Sequence, residues 1–236
     1  MGFFSAVYDF FFNIIYAFSN SFYLSIIKSS RYMMLVRGLA VSIEITVIAC
    51  VIGVVLGILL AICRIKGKGA LYTFASAYIS VIRGTPMVVQ LIIVYYIILQ
   101  DALPPIVSAS FAFGLNSAAY VAEIIRSGIQ SIDRGQTEAG RSLGLNNRQT
   151  MLSIILPQAV KNVLPALGNE FIVLLKETSI AGYIAITDVN KASMQIIAGT
   201  YDAYFAPLFV AYLYFVLTTT LAAGVNKFER RLKRSD

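Results

Sequence analysis

From about Leu35 to Ile62 this 236-residue chain is apolar, interrupted beyond Arg37 at its edge only by Glu44 and punctuated by Gly53 and Gly57. A bilayer crossing takes ~20 apolar residues, and a helix apolar all round belongs in a core or a membrane. Further stretches of the same kind run over about 70–99, Ile106–Ile129, Val160 to Lys176–Ser179 and Tyr204–Val225. Only 13% of the residues are charged, against about 25% in a water-soluble domain. The chain is therefore an all-α integral membrane protein of five spans, with no room for a separate soluble domain.

Within that frame the sequence marks its own breaks. The second span is interrupted by RGTP at 83–86, because Pro86 removes a donor and pushes Thr85 out of helical geometry. Asp101, Pro104 and Pro105 form the turn into the third span, and Pro165 predicts a kink in the fourth. Residues 180–203 are mixed and hold a short helix outside the membrane. Residues 1–27 are rich in aromatics, Phe3, Phe4, Tyr8 and Phe10 among them, with no Lys or Arg before Lys28. They lack the basic n-region of a secretory signal and read as an interfacial helix, with a sixth crossing as the alternative. The organisation is an N-terminal segment at 1–30, a membrane domain at 31–226 and a basic tail at 227–236.

Basic residues set the orientation. Three, five and five of the nineteen Lys and Arg fall in the 64–69 turn, the 126–161 region and the tail. Placing all three in the cytoplasm puts the N-terminus out and the C-terminus in. If residues 1–27 cross as well, only the N-terminus changes side. Anionic lipid accounts for the net charge of +7 without nucleic acid.

Several chemistries are closed. There is no histidine, so His-based triads, HExxH zinc sites and haem ligation are excluded. Cys50 and Cys63 lie thirteen residues apart in one helical run, roughly 20 Å, and cannot bridge within the chain. No GxxxxGK[ST] string occurs, so any ATP used is hydrolysed on another chain.

The most informative stretch is EAGRSLGLNNRQTMLSIILP at 138–157. It begins as a helix with Ala139 and Gly140 side by side, stops at Gly144, where a left-handed conformation is tolerated, and re-enters the membrane at Pro157. By its own chemistry it is either a knob for a cytosolic partner's groove or an ordinary amphipathic connecting loop. Gly53 with Gly57, and Gly114 with Ala118 and Ala122, are small-residue stripes that permit close packing in lipid. Packing within one subunit is the simpler role for both, a dimer seam the other.

The spacing of Glu138, Ala139, Gly140, Gly144, Ile154, Leu156 and Pro157 resembles the EAA signature of binding-protein-dependent ABC importer permeases, with Gly140 in place of the second alanine. RGTPMVVQL at 83–91, LNSAAYVAEIIRSGIQSI at 115–132 and LPALGNEFIVLLKETS at 164–179 narrow the resemblance to the polar amino acid branch, the histidine, glutamine and arginine permeases. It covers about residues 35–232. It implies a five-span type I importer core in the bacterial cytoplasmic membrane and two such subunits, identical or different. Two ATPase subunits that bind ATP and Mg would lie below, an amino-acid-binding protein above, and this chain would carry no cofactor or catalytic residue. The region about 134–150 becomes the coupling helix, with Glu138, Ala139, Gly140, Arg141, Gly144 and Leu145 contacting the ATPase.

Carboxylates inside spans are costly, about 2.5–3.5 kcal/mol on insertion scales, and usually face a cavity or a partner. Glu123 is neutralised by Arg126 three residues on, or near the interface by lipid. Glu170 and Glu177, seven apart, share a face of the fourth span. Glu170, with Asn116, Tyr120 and Glu44, is the candidate contact for an amino group or cationic side chain, which favours a basic or dipolar amino acid over an acidic one; the other reading of Glu170 is a hydrogen bond to a neighbouring helix, which costs little when the carboxyl is protonated. Arginine, histidine, lysine and glutamine stay open. An ion-coupled secondary carrier would suit the same carboxylates and broken helix, as would a permease for another solute.

Overall fold

The computed structural model describes residues 2–65, 67–100 and 102–233, with side chains from Val7 onward. The readings that rest on Lys66, Asp101, Arg234 and the side chains of Phe3 and Phe4 lie outside the described residues. Every regular element among them is a helix: α1 (Gly2–Phe22), α2 (Tyr32–Ile65), α3 (Ala70–Gly84), α4 (Met87–Ile92), α5 (Pro105–Gln130), α6 (Arg134–Ser142), α7 (Asn147–Thr150), α8 (Leu156–Glu177), α9 (Val189–Thr200) and α10 (Phe205–Lys233).

The expected spans are there as α2, α5, α8, α10 and the bent pair α3 and α4, the latter running on through a π-helical turn to Leu99. Residues Val7–Ser30 are also helical, long and apolar enough to cross a membrane. Residues 180–203 contain α9, as their mixed pattern suggested.

The fourth span differs from expectation at its start. Helix begins at Asn147, not near Val160, because Asn146 and Gln149 form a reciprocal capping box. It then widens into a π turn at Met151–Ile155 immediately before Pro157. Proline lacks a donor and its ring crowds the carbonyl four residues back, and a widened turn relieves both. Pro165 is buried inside α8, which runs through it unbroken.

Helix α5 is the centre of the bundle. A Cβ at Gly53 would lie 2.8 Å from Ser117 Cβ, and one at Gly114 2.7 Å from Ile52 Cβ. The glycine stripe of α2 and the small-residue stripe of α5 therefore face each other within one chain. Lipid tails are as apolar as leucine, so van der Waals contact at close range holds such a pair. Ile45, Leu91, Phe113 and Leu174 knit α2, α4, α5 and α8 into one core. A second core, with Ile26, Leu35, Val189, Ile196 and Val210, joins α9 to the starts of α2 and α10.

Glu123 accepts from Arg126 Nε at 3.0 Å, as the spacing predicted, and also from Arg64 Nη1 at 2.6 Å. This ties the end of α2 to the last turns of α5, so the 64–69 turn and the region after residue 126 share one end of the bundle.

Candidate functional site

The break between α3 and α4 bends the chain by 110°. Thr85 is extended (φ −119°, ψ 146°), as a residue before proline should be. Carbonyls at such a break lose their helical donors and need others. Gln90, one turn into α4 and buried, supplies them: its Nε2 donates to Ile82 O at 2.7 Å and lies 3.1 Å from Thr85 O and 2.7 Å from Thr85 Oγ1. Its Oε1 accepts from Asn116 Nδ2 at 2.9 Å. One turn along α5, the ring of Tyr120 carries the Arg83 guanidinium 5.4 Å from its centroid, a cation–π distance. Asn116 and Tyr120 thus both grip the broken span from α5.

On the adjacent side of α5, Ser117 Oγ donates to Glu170 Oε1 at 2.9 Å. Glu170 is half-buried, and so is Glu177, two turns or about 10 Å further along α8. A 3₁₀ turn at Thr178–Ile184 follows. There a cavity of about 220 Å³ opens, lined by Ser179, Gly182, Tyr183, Asn190, Lys191 and Met194. Asp188, fully buried beside it, caps α9 by accepting from Asn190 N at 3.2 Å and Lys191 N at 2.9 Å. Burial holds the Asp188 carboxyl above the ordinary range, with those two N–H bonds working against the shift.

The structure brings Asn116, Tyr120 and Glu170 to neighbouring positions around α5, and Glu177 onto the same helix as Glu170. It does not bring Glu44 to them. Glu44 is exposed on the face of α2 opposite Ser42, Ala49 and Gly53, which turn toward the bundle. The largely apolar sequence around it, with Ser42 and Thr46 two residues to either side, gives no clue to its facing. Gln90, Ser117, Asp188 and Lys191 were not anticipated. Gln90 had a signal, since a proline break demands a donor nearby; Ser117, among many small residues, had none.

Helix α6 lies at the basic end. Asp133 caps its start, accepting from Gly135 N at 2.7 Å. Its end is a Schellman turn: Leu145 N donates to Gly140 O at 3.1 Å and Gly144 N to Arg141 O at 3.0 Å, with Gly144 at φ +83°. Glu138, Ala139 and Arg141 are exposed, Leu145 partly so, and Leu143 is 80% exposed. Leu143 is the most exposed large apolar side chain between α6 and α7, and it was not among the residues first singled out. Gly140 departs from expectation because it faces inward. A Cβ there would lie 2.8 Å from Thr150 Cγ2 and 2.9 Å from Ile154 Cδ1, so this glycine seats α6 on the start of the fourth span. Asn162 Nδ2 donates to Ser131 Oγ at 3.0 Å, joining α8 to the end of α5.

Residues 53–234 match the family described as binding-protein-dependent transport system inner membrane component. The chain is 43% identical over 206 residues to the arginine transport system permease protein ArtQ of Bacillus subtilis, covering 86% of this chain and 94% of that one. It is 35% identical over 207 residues to the putative glutamine transport system permease protein GlnP of Rickettsia bellii, covering 86% and 95%. Among solved structures it resembles a chain of an amino acid ABC transporter crystallised with histidines, at a TM-score of 0.81 and 42% identity over 85% of this chain and 94% of that one.

Proposed function

Because the chain belongs to the family of binding-protein-dependent transport system inner membrane components, we propose that it carries a polar amino acid, cationic or dipolar in preference to acidic, across the cytoplasmic membrane as one permease subunit of an ATP-driven importer. Permeases of this family are membrane components and not enzymes, and ATP hydrolysis belongs to a separate subunit. Family membership argues against an ion-coupled carrier. Relatives named for arginine and glutamine support the substrate class.

The observation that carries the reading is the Glu170 carboxylate held by Ser117 inside an apolar span, beside the polar grip on the broken helix. A carboxylate there attracts an ammonium or guanidinium and repels a second carboxylate. In this account Glu170 and Glu177 meet the cationic end of the substrate, while Asn116 and Tyr120 keep the α3 and α4 break in position. The exposed face of α6, with Glu138, Ala139, Arg141, Leu143, Gly144 and Leu145, docks on the ATPase. ATP-driven closure moves α6, and the seating of Gly140 on Thr150 and Ile154 passes that motion to α8 and α5. Two permease subunits then rock and change the side the site faces. An external binding protein delivers the substrate.

The test is uptake into proteoliposomes holding the chain with its co-purified ATPase and a binding protein, with arginine, lysine, histidine, glutamine and glutamate compared. ATP-dependent uptake of a cationic or dipolar member, and none of glutamate, supports the reading. Uptake driven by an ion gradient without ATP contradicts it.

A further inference from the structure

At the basic end of the bundle two cavities meet. One, of about 440 Å³, opens between the ends of α2 and α5 and the start of α3, and is lined by Arg64, Tyr72, Arg126 and Gln130 with Gly67. The other, of about 500 Å³, is an apolar groove between α2, α5 and α8, lined by Ile58, Ile62, Leu156, Val160, Leu164 and Leu167. Ile65 and Ile129 line both, so the two form one site with a polar head and an apolar stem.

The head carries a net positive charge. Glu123 is the acceptor for both Arg64 and Arg126, which leaves one guanidinium charge uncompensated within this cluster. Arg64 Nε is buried with no hydrogen-bond partner among the described residues. A guanidinium has N–H donors beyond those engaged here, and its geometry suits a phosphate oxygen pair. Leu156 to Leu167 is about 16 Å of helix, close to one leaflet of a ~30 Å hydrocarbon core. Arg64 and Arg126, in the last turns of their helices, lie at the end of that apolar stem, where the polar head of a lipid would sit.

We propose that this composite site binds one anionic phospholipid, its phosphate on Arg64 and Arg126 and one acyl chain in the groove between α2, α5 and α8. A free phosphate would leave the groove empty, and a zwitterionic lipid would leave the excess charge unmatched. The proposal does not depend on what the protein transports. A lipid there touches α8 directly after the π turn that follows α6, and so lies beside the coupling segment.

The experiment is retained-lipid analysis by native mass spectrometry on the full-length chain in mild detergent, titrated with phosphatidylglycerol, phosphatidylcholine or soluble glycerophosphoglycerol. Wild type is expected to hold phosphatidylglycerol in preference to phosphatidylcholine, and the soluble headgroup to compete poorly. Arg126→Gln should weaken retention about fivefold, the effect of one basic residue near lipid. Val160→Trp, which fills the groove and leaves both arginines in place, should weaken it comparably, while Arg231→Gln in α10 should not. Equal retention of the two lipids, competition by the headgroup as strong as by intact lipid, or retention untouched by both site variants would each overturn the proposal.

Discussion

Ser117 Oγ donates to Glu170 Oε1 across 2.9 Å, binding α5 to α8 within their apolar lengths. A carboxylate that, among the described residues, accepts a hydrogen bond from one hydroxyl retains acceptor capacity for a passing cation. Glu170→Gln keeps the shape and the bond to Ser117 and removes the charge. It should reduce uptake of a cationic amino acid by at least about tenfold, the worth of one hydrogen bond to a charged group, and affect a neutral one far less. Initial rates of labelled arginine and glutamine uptake check this; equal losses would remove Glu170 from the pathway.

The glycine at 140 predicts a compensating pair. Gly140→Ala drives a methyl against Thr150 Cγ2 and should cost about 1–3 kcal/mol of local stability or tilt α6. Thr150 Oγ1 is buried without a partner among the described residues, so Thr150→Ala loses no hydrogen bond there and removes two of the three close contacts, leaving only the flexible tip of Ile154 to shift. The double variant should recover the ATPase coupling that the single one loses, measured as substrate-stimulated hydrolysis.

Gln90→Leu should leave the carbonyls of Ile82 and Thr85 without donors. Each unsatisfied buried group costs about 1–3 kcal/mol, so the melting temperature in detergent should fall clearly. Gln90→Glu, which retains an acceptor for Asn116 but lacks the donor, should fall as well. An unchanged melting temperature for both would mean the break is held by other means.

Asp202 gives a pH dependence. Burial alone would raise its carboxyl, but the Tyr204 and Phe205 backbone N–H groups and the hydroxyls of Ser21 and Ser25 outweigh it and hold it below the ordinary range. A depressed carboxylate contributes stability fully above its unfolded value of ~3.9, and loses it as pH falls through the lower folded value. The 23–30 segment should therefore exchange amide hydrogens faster below about pH 4, after correction for intrinsic rates. Asp202→Asn should show raised exchange already at neutral pH.

What could be read from sequence was whatever local chemistry dictates. Runs of apolar residues gave the spans, Pro86 gave the break, and Gly144 gave the end of α6, since each acts within a turn of itself. The magnitude of the bend was not legible, because it depends on Gln90 and Asn116 meeting across helices. Nor was the outward facing of Glu44 or the inward facing of Gly140, for which single residues carry no direction until the partner helix is known. The start of helix at Asn147 was missed although Asn146 and Gln149 spell a capping box, because the polar stretch around them masked it.

The proposed function requires that an exposed face of α6 couple this chain to a separate ATPase. The most direct measurement is substrate-stimulated ATP hydrolysis in proteoliposomes by wild type and by Leu143→Asp, which puts a charge on the 80% exposed apolar side chain without touching the bundle. The variant is expected to fold and reach the membrane like wild type but to lose both the co-purifying ATPase and stimulated hydrolysis. An undiminished stimulated rate in Leu143→Asp, with the ATPase still bound, would contradict it.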